Sequence, residues 1–501
     1  MIKKFALTLL FSLVILSLHS FAQSQAPELD IPVSETTRHI RFLASDELLG
    51  RMTGEQGNHA AARYIAEHFR EYGLNYLPGH DDYFQPLPLY RNIVHSGAFI
   101  TFQNDTLYQR QHFVPLSGKK GSYSAEMVYF ESLIDSDGKL LADLNDVVFT
   151  DKIIVTEFGG PTDGAGLQAL LRFSAQKRAV AKSLGAVAVI ERFSGPFQFG
   201  VLANFASQSR FNRGSMDDEV VLDHFVVDAT VLQVPTSNSK TLNITSAGVT
   251  YSNVIADNVV GIVEGSDPLL KNEYILLMAH FDHIGAGMRP GITPADTIFN
   301  GARDNGMGVV GLLAAAKGLS ANPPKRSVII LAVNAEESGM HGSIHFVNSA
   351  PVLLSKIKLV MNVDSGGYND TSLITLVGHG RTTADPIISD AVQRIGLTLL
   401  PDPSPEQNLF NRSDNVHFAR AGIPAPTFSP GFTAFDDELL KFYHRPSDQA
   451  DDLFDFDYLN NFARAYAYTT RQLANTDKPL KWSAGDVYEE AYNKLHGISV
   501  E

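Results

Sequence analysis

The chain of 501 residues contains no cysteine. That absence excludes disulfides, thiolate zinc sites, a cysteine nucleophile and a lipid-modified N-terminal cysteine. Any bound metal must therefore be held by nitrogen and oxygen. A chain this long can build a core large enough to do without cross-links. Positive charge is also scarce: 40 Lys and Arg stand against 55 Asp and Glu, a net charge of −15. This balance disfavours nucleic acid and anionic membrane surfaces as partners. Beyond the first residues no apolar run is long enough to span a bilayer. There is no GxSxG elbow to present a serine nucleophile. What remains is the composition of an ordinary globular protein, 44% apolar and 19% charged.

The first residues stand apart. Lys3 and Lys4 precede "FALTLLFSLVILSL", and Ser20 and Ala22 flank Phe21 in a small-x-small pattern. This predicts a signal peptide over residues 1–22, cut after Ala22, and a secreted or periplasmic mature protein. The competing reading is an uncleaved anchor. Cleavage removes two lysines and no acid, so the mature chain is more acidic still. No membrane contact is expected after cleavage, and monomer and dimer both stay open.

Residues 34–50 and 57–72 read as helices, the second with Ala61, Ile65, Phe69 and Tyr72 on one stripe and Gly73 as its stop. Short strands follow from about 84 to 115. Residues 119–250 have a different texture, with "DKIIVTEFGG", "AQKRAVAKSLGAVAVIERF" and "VVLDHFVVDATVLQVP". They read as a smaller α/β insert without clustered metal ligands. The remainder divides into an N-terminal catalytic part (23–118), a main catalytic part (251–480) and a C-terminal helix or tail (481–501). In the main part, "EYILLMA", "RSVIILAVNA", "KIKLVMNVD" and "SLITLVG" alternate with helices near 305–320 and 338–349. Near-continuous apolar strands alternating with helices predict an α/β fold, a mostly parallel central sheet flanked by helices.

Polar clusters end three of these strands: His280 and Asp282, Glu336 and Glu337, and Asp364. Asp304 lies in "NGARDNGMG" just before a helix, and His444 in "FYHRPSD". In open α/β sheets ligands bind outside the C-terminal ends of the strands. Crowded carboxylates repel one another, and a divalent cation relieves that. Two imidazoles and three carboxylates suit zinc, or less often manganese or cobalt. Singly, each has a bland explanation: a hydrogen-bonded histidine, a helix cap, first-turn charge, a turn residue. Five acceptable ligands on one rim are harder to explain that way.

"AHFDHIG … NGARDNGMG … NAEESGMHGS … MNVDSGG … FYHRPSD" resembles the di-zinc exopeptidases of clan MH, which include secreted aminopeptidases. The resemblance covers residues 252–475 and extends to "HIRFLASDELLGRMTGEQGNHAAARYIAEHF". The 119–250 insert resembles a protease-associated (PA) domain, through "DKIIV" and "AKSLGAVAVI". The family pattern implies two zinc ions per chain. His280 and Asp364 would hold one, Glu337 and His444 the other, with Asp304 bridging. Asp282 would orient His280, Glu336 would be the general base, and Tyr443 an oxyanion donor. His283, His341, His345, His379 and His417 fall outside the ligand pattern. Arg303 departs from the commoner "GADDNASG" and would put a cation near the cleft; "RSDNVHF" likewise departs from "SDH".

The activity so implied is removal of N-terminal residues from a peptide substrate by a two-metal-activated water. Three other readings stay open: glutaminyl cyclisation on the same fold with one zinc, a non-catalytic receptor-like protein, and a dipeptidase or deacylase whose insert dimerises. Intact ligands for both metals favour hydrolysis.

Overall fold

Strand Tyr274–His280 shows how the sheet is built. Its alternate side chains go to opposite faces. Ile275, Leu277 and Ala279 enter one hydrophobic core, and Leu276 and Met278 enter the other. Both faces are covered, which is why the strand reads as an unbroken apolar run. A computed structural model describes residues 26–160, 167–195, 198–207, 209–214, 221–233, 241–287 and 291–498. The predicted signal peptide and its cleavage point lie outside the described residues.

The chain forms two units, one of residues up to Leu87 together with Ile255–Glu501, the other Pro88–Val254. The first unit contains a mixed eight-stranded sheet. In chain order its strands are β1 (Phe84–Pro86), β2 (Asp257–Val263), β3 (Tyr274–His280), β4 (Ser327–Val333), β5 (Ile357–Val363), β6 (Leu373–Val377), β7 (Thr398–Pro401) and β8 (Thr427–Pro430). Their spatial order is β1-β2-β4-β3-β5-β8-β6-β7. The centre, β4-β3-β5-β8, is parallel. Antiparallel pairs flank it, β1 with β2, β2 with β4, and β8 with β6. Helices Val33–Leu43, Gln56–Glu71, Met307–Ala321 and Phe456–Asn475 supply apolar stripes to the first core. Phe346, Phe418, Ala419 and Trp482 close the second.

The helix expected over 34–50 ends at Leu43 and gives way to a tight turn, Asp46–Arg51. Leu49 (φ 48°) and Gly50 (φ 70°) take left-handed backbone there, which no helix accommodates. In the second unit, an eight-stranded sheet has parallel pairs at its centre, Met127–Tyr129 with Ile153–Val155 and Ile153–Glu157 with Ala188–Arg192. The sequence reading places residues 88–118 with the catalytic part. In the structure their strands pair inside the second unit, for example Leu89–Val94 with Val249–Val254 and Phe99–Phe102 with Leu242–Thr245. Pairing between distant strands, invisible in composition, moves the boundary.

Candidate metal centre

The register of the central strands brings the first donors together. Parallel pairing sets Ala279 beside both Ala332 and Val363. The next residue on β3 is His280, and the next after β5 is Asp364. His280 Nε2 is accordingly 3.3 Å from Asp364 Oδ1. After β4 the chain turns sharply at Ala335 (φ 60°), and Glu336 and Glu337 follow. Asp304 sits in the irregular turn Ala302–Gly306 ahead of helix Met307–Ala321. His444 (φ 53°) follows the short helix Asp437–Leu440. Left-handed backbone at non-glycine residues is costly and concentrates at functional sites.

All five residues expected as ligands meet. His280, Asp304 and Asp364 form one donor group; Asp304, Glu337 and His444 belong to another, which also takes in His283. Asp304 faces both ways: Oδ1 is 3.3 Å from His280 Nε2, and Oδ2 is 3.2 Å from His444 Nε2. His444 Nε2 is also 3.2 Å from Glu337 Oε2. Donors bound to one tetrahedral zinc at about 2.0–2.1 Å are roughly 3.3–3.4 Å apart. These separations and this donor chemistry fit two cations sharing one carboxylate.

The electrostatics agree. Burial pushes the His444 imidazole down, yet hydrogen bonds to Asp304 and Glu337 outweigh it and lift the ring to about 10. His280 is likewise raised despite its burial, by Asp304 and Asp364. Burial raises Glu337, but His283 and His444 hold it down at about 2. The cluster therefore favours positive charge on the groups it encloses. Glu336 behaves oppositely: burial, helped by Asp364, Asp414 and Glu337, lifts its carboxyl well above the ordinary range. Tyr443 is raised by burial and by Asp304 and Glu337, its ring stacked 4.2 Å from that of His444.

Two expectations need correction. Asp282 does not hydrogen-bond His280 through its carboxylate, whose Oδ1 lies at ion-pair distance, 4.0 Å from Nδ1. Nδ1 is instead 3.1 Å from the backbone carbonyl of Asp282. The carboxylate accepts the backbone N–H groups of Glu336 (3.1 Å) and Glu337 (3.3 Å) and the Thr53 hydroxyl (3.3 Å). It orients the glutamate pair, because the turn at Ala335 brings their amides to it. Arg303 does not face the cleft. It is 1% exposed, donates to Asp448 at 3.1 Å and lies 3.8 Å over the Phe442 ring.

Sequence reasoning missed several supports. The buried Asp448 carboxylate accepts the backbone N–H groups of Arg303 and Asp304, each at 3.0 Å. It lies four residues beyond His444 in a motif read only for Tyr443 and His444. The buried Arg51 donates to the carbonyls of Phe281 (2.8 Å) and Gly301 (2.9 Å), and also to those of Leu43 and Asn300. It clamps the loops that carry His280 and Asp304. The left-handed turn at Gly50 delivers it, and no local pattern announces that.

Beside the donors lies a cavity. Asp304, Glu336, Glu337 and Asp364 line it. Val377, Leu409, Phe432, Phe435 and Leu439 line it as well, and Tyr443 and Arg412 also border it.

Residues 258–470 match the model of peptidase family M28. The probable leucine aminopeptidase 2 of Aspergillus fumigatus is 30% identical over 187 residues, covering 36% of this chain and 34% of that protein. Aminopeptidase YwaD of Bacillus subtilis is 24% identical over 259 residues, 48% of this chain and 51% of that one. The matches thus span from about a third to about half the length of these relatives. Among solved structures, the aminopeptidase from Aneurinibacillus sp. strain AM-1 superposes with a TM-score of 0.56 at 18% identity, covering 89% of this chain and 95% of that one. At that identity the likeness is one of fold. The segment that matches the M28 model carries His280, Asp304, Glu336, Glu337, Asp364 and His444, and M28 is a family of clan MH.

Proposed function

We propose that the protein is a zinc-dependent exopeptidase that removes N-terminal residues from peptides. The observation that carries this is Asp304, whose two oxygens face two separate donor groups beside a cavity that Glu336 also lines. His280, Asp304 and Asp364 would hold one zinc, and Asp304, Glu337 and His444 the other. A zinc pair, when bound, supplies Lewis acidity that polarises a peptide carbonyl and acidifies water. Glu336 takes the proton of the attacking water as its oxygen bonds to the carbonyl carbon. It then passes that proton to the amine nitrogen as the C–N bond breaks. The raised pKa of Tyr443 keeps its phenol protonated and able to donate to the developing oxyanion.

The cavity supports a substrate class. Its carboxylates suit a free N-terminal ammonium, and its apolar lining suits an apolar first side chain, the kind the name of the Aspergillus fumigatus relative specifies. The leader sequence supports export to the periplasm or the exterior. Among the described residues no helix is long and apolar enough to cross a membrane.

The test is a panel of aminoacyl-amides, N-blocked peptides and N-terminal Gln peptides, assayed with and without chelator. Chelator-sensitive hydrolysis of leucyl substrates and no cleavage of blocked ones is expected. Pyroglutamate formation from a chain holding one zinc would favour the cyclase instead.

A further inference from the structure

His283 lies outside the ligand pattern, yet its side chain is fully buried and stands in one donor group with Asp304, Glu337 and His444. Distances separate the two roles it could have there. The four pairs joining the five expected ligands are 3.2–3.3 Å apart, the spacing of atoms sharing a tetrahedral zinc. His283 Nδ1 is only 2.6 Å from Glu337 Oε1. Two donors on one zinc do not come that close, whereas a charge-assisted hydrogen bond does. An ionised carboxylate has no hydrogen to give, so the ring must donate. Nε2 is buried and has no hydrogen-bond partner among the described residues, so a proton placed there would be unsatisfied.

We propose that His283 is a positioning residue. Its Nδ1–H fixes Glu337 Oε1 and leaves Oε2 as the one oxygen that Glu337 presents, beside His444 Nε2, to the metal. This rests on the metal-centre reading above. The ring is itself held in place: its backbone N–H donates to the Arg51 carbonyl at 3.3 Å, and it packs edge-on to His444 at 5.6 Å. Gly301 makes the space for it, since a Cβ there would stand 2.6–2.7 Å from the ring. Partners of this kind, one bond removed from the metal, fix ligand orientation and tune affinity.

The experiment uses the full chain and the variants His283→Leu and His283→Asn, whose side-chain N–H can replace Nδ1–H. Zinc affinity is measured by competition with a chromophoric chelator, and coordination by the visible absorption of the cobalt(II)-loaded proteins. The Leu variant is expected to hold the zinc of the Glu337 and His444 group about 10–100-fold less tightly. The Asn variant is expected to keep wild-type affinity and a wild-type cobalt spectrum, since no ligand has changed. Equal loss in both variants with altered cobalt bands would make His283 a ligand and overturn the proposal. So would a Leu variant that binds both zincs like the wild type, and that result would leave the metal centre standing. A wild-type chain that binds no zinc would overturn the metal-centre reading and this proposal with it.

Discussion

Glu336 and Glu337 are neighbours in sequence with opposite electrostatics. Bonds to His283 and His444 keep Glu337 ionised, whereas burial lifts Glu336 toward accepting a proton. Environments that push paired carboxyls apart in this way assign acid–base roles. Glu336→Gln is expected to lower kcat by about 10²–10⁴-fold while zinc content stays at the wild-type level. Glu337→Gln should lose zinc, so kcat and metal analysis on both variants check the division of labour. The convergence of the five donors was legible because residue type and strand-end position are both written in the chain. The directions of Asp282 and Arg303 were not legible, because each depends on which distant group reaches it: the amides after Ala335 for one, Asp448 and Phe442 for the other.

At the scale of elements, the loops around the strand ends are tied to one another. Arg51 joins the turn after the first helix to the His280 and Asp304 loops, and Gly301 (φ 57°) lets the backbone of Asp304 and the ring of His283 approach. A Cβ at Gly301 would lie 2.2 Å from the Asp304 carbonyl. Gly301→Ala is therefore expected to cost about 1–3 kcal/mol and to weaken zinc binding, read by thermal unfolding and metal titration. The second unit makes a separate prediction about pH. Burial raises Glu191, but Lys177 (2.8 Å) and His224 (2.7 Å) outweigh it and hold the carboxyl at about 2 against an ordinary 4.5. A carboxyl depressed on folding stabilises above its unfolded pKa, and that stability is lost as pH falls from about 4.5 towards about 2. The loss is on the order of 3 kcal/mol. Burial also lowers His224, so its unfolded form binds a proton first and it destabilises in the same direction, beginning nearer 6.5. Hydrogen exchange in Ile153–Glu157 and Ala188–Phe193 should speed up on acidification beyond its intrinsic pH dependence. Glu191→Gln should be less stable at neutral pH and flatter in pH. The helices and strands themselves were readable from periodicity. The break after Leu43 and the pairing of residues 88–118 were not, because both are decided by tertiary contacts.

For the molecule as a whole, the alternation of apolar strands and amphipathic helices was enough to predict a sheet covered on both faces with its chemistry along one rim. The metal then has a structural consequence. Asp304, Glu336, Glu337 and Asp364 line one cavity, and cations that bind only the folded form stabilise it by mass action. Chelation should lower the unfolding temperature by several degrees, and excess zinc should restore it. In expression with export, N-terminal sequencing should find the mature chain beginning at Gln23. Zinc-edge anomalous diffraction from crystals grown with zinc examines the metal centre itself. Two peaks are expected, about 3.5–4 Å apart, one among His280, Asp304 and Asp364 and the other among Asp304, Glu337 and His444. A single peak, or none at these residues with zinc in excess, would contradict the paired site.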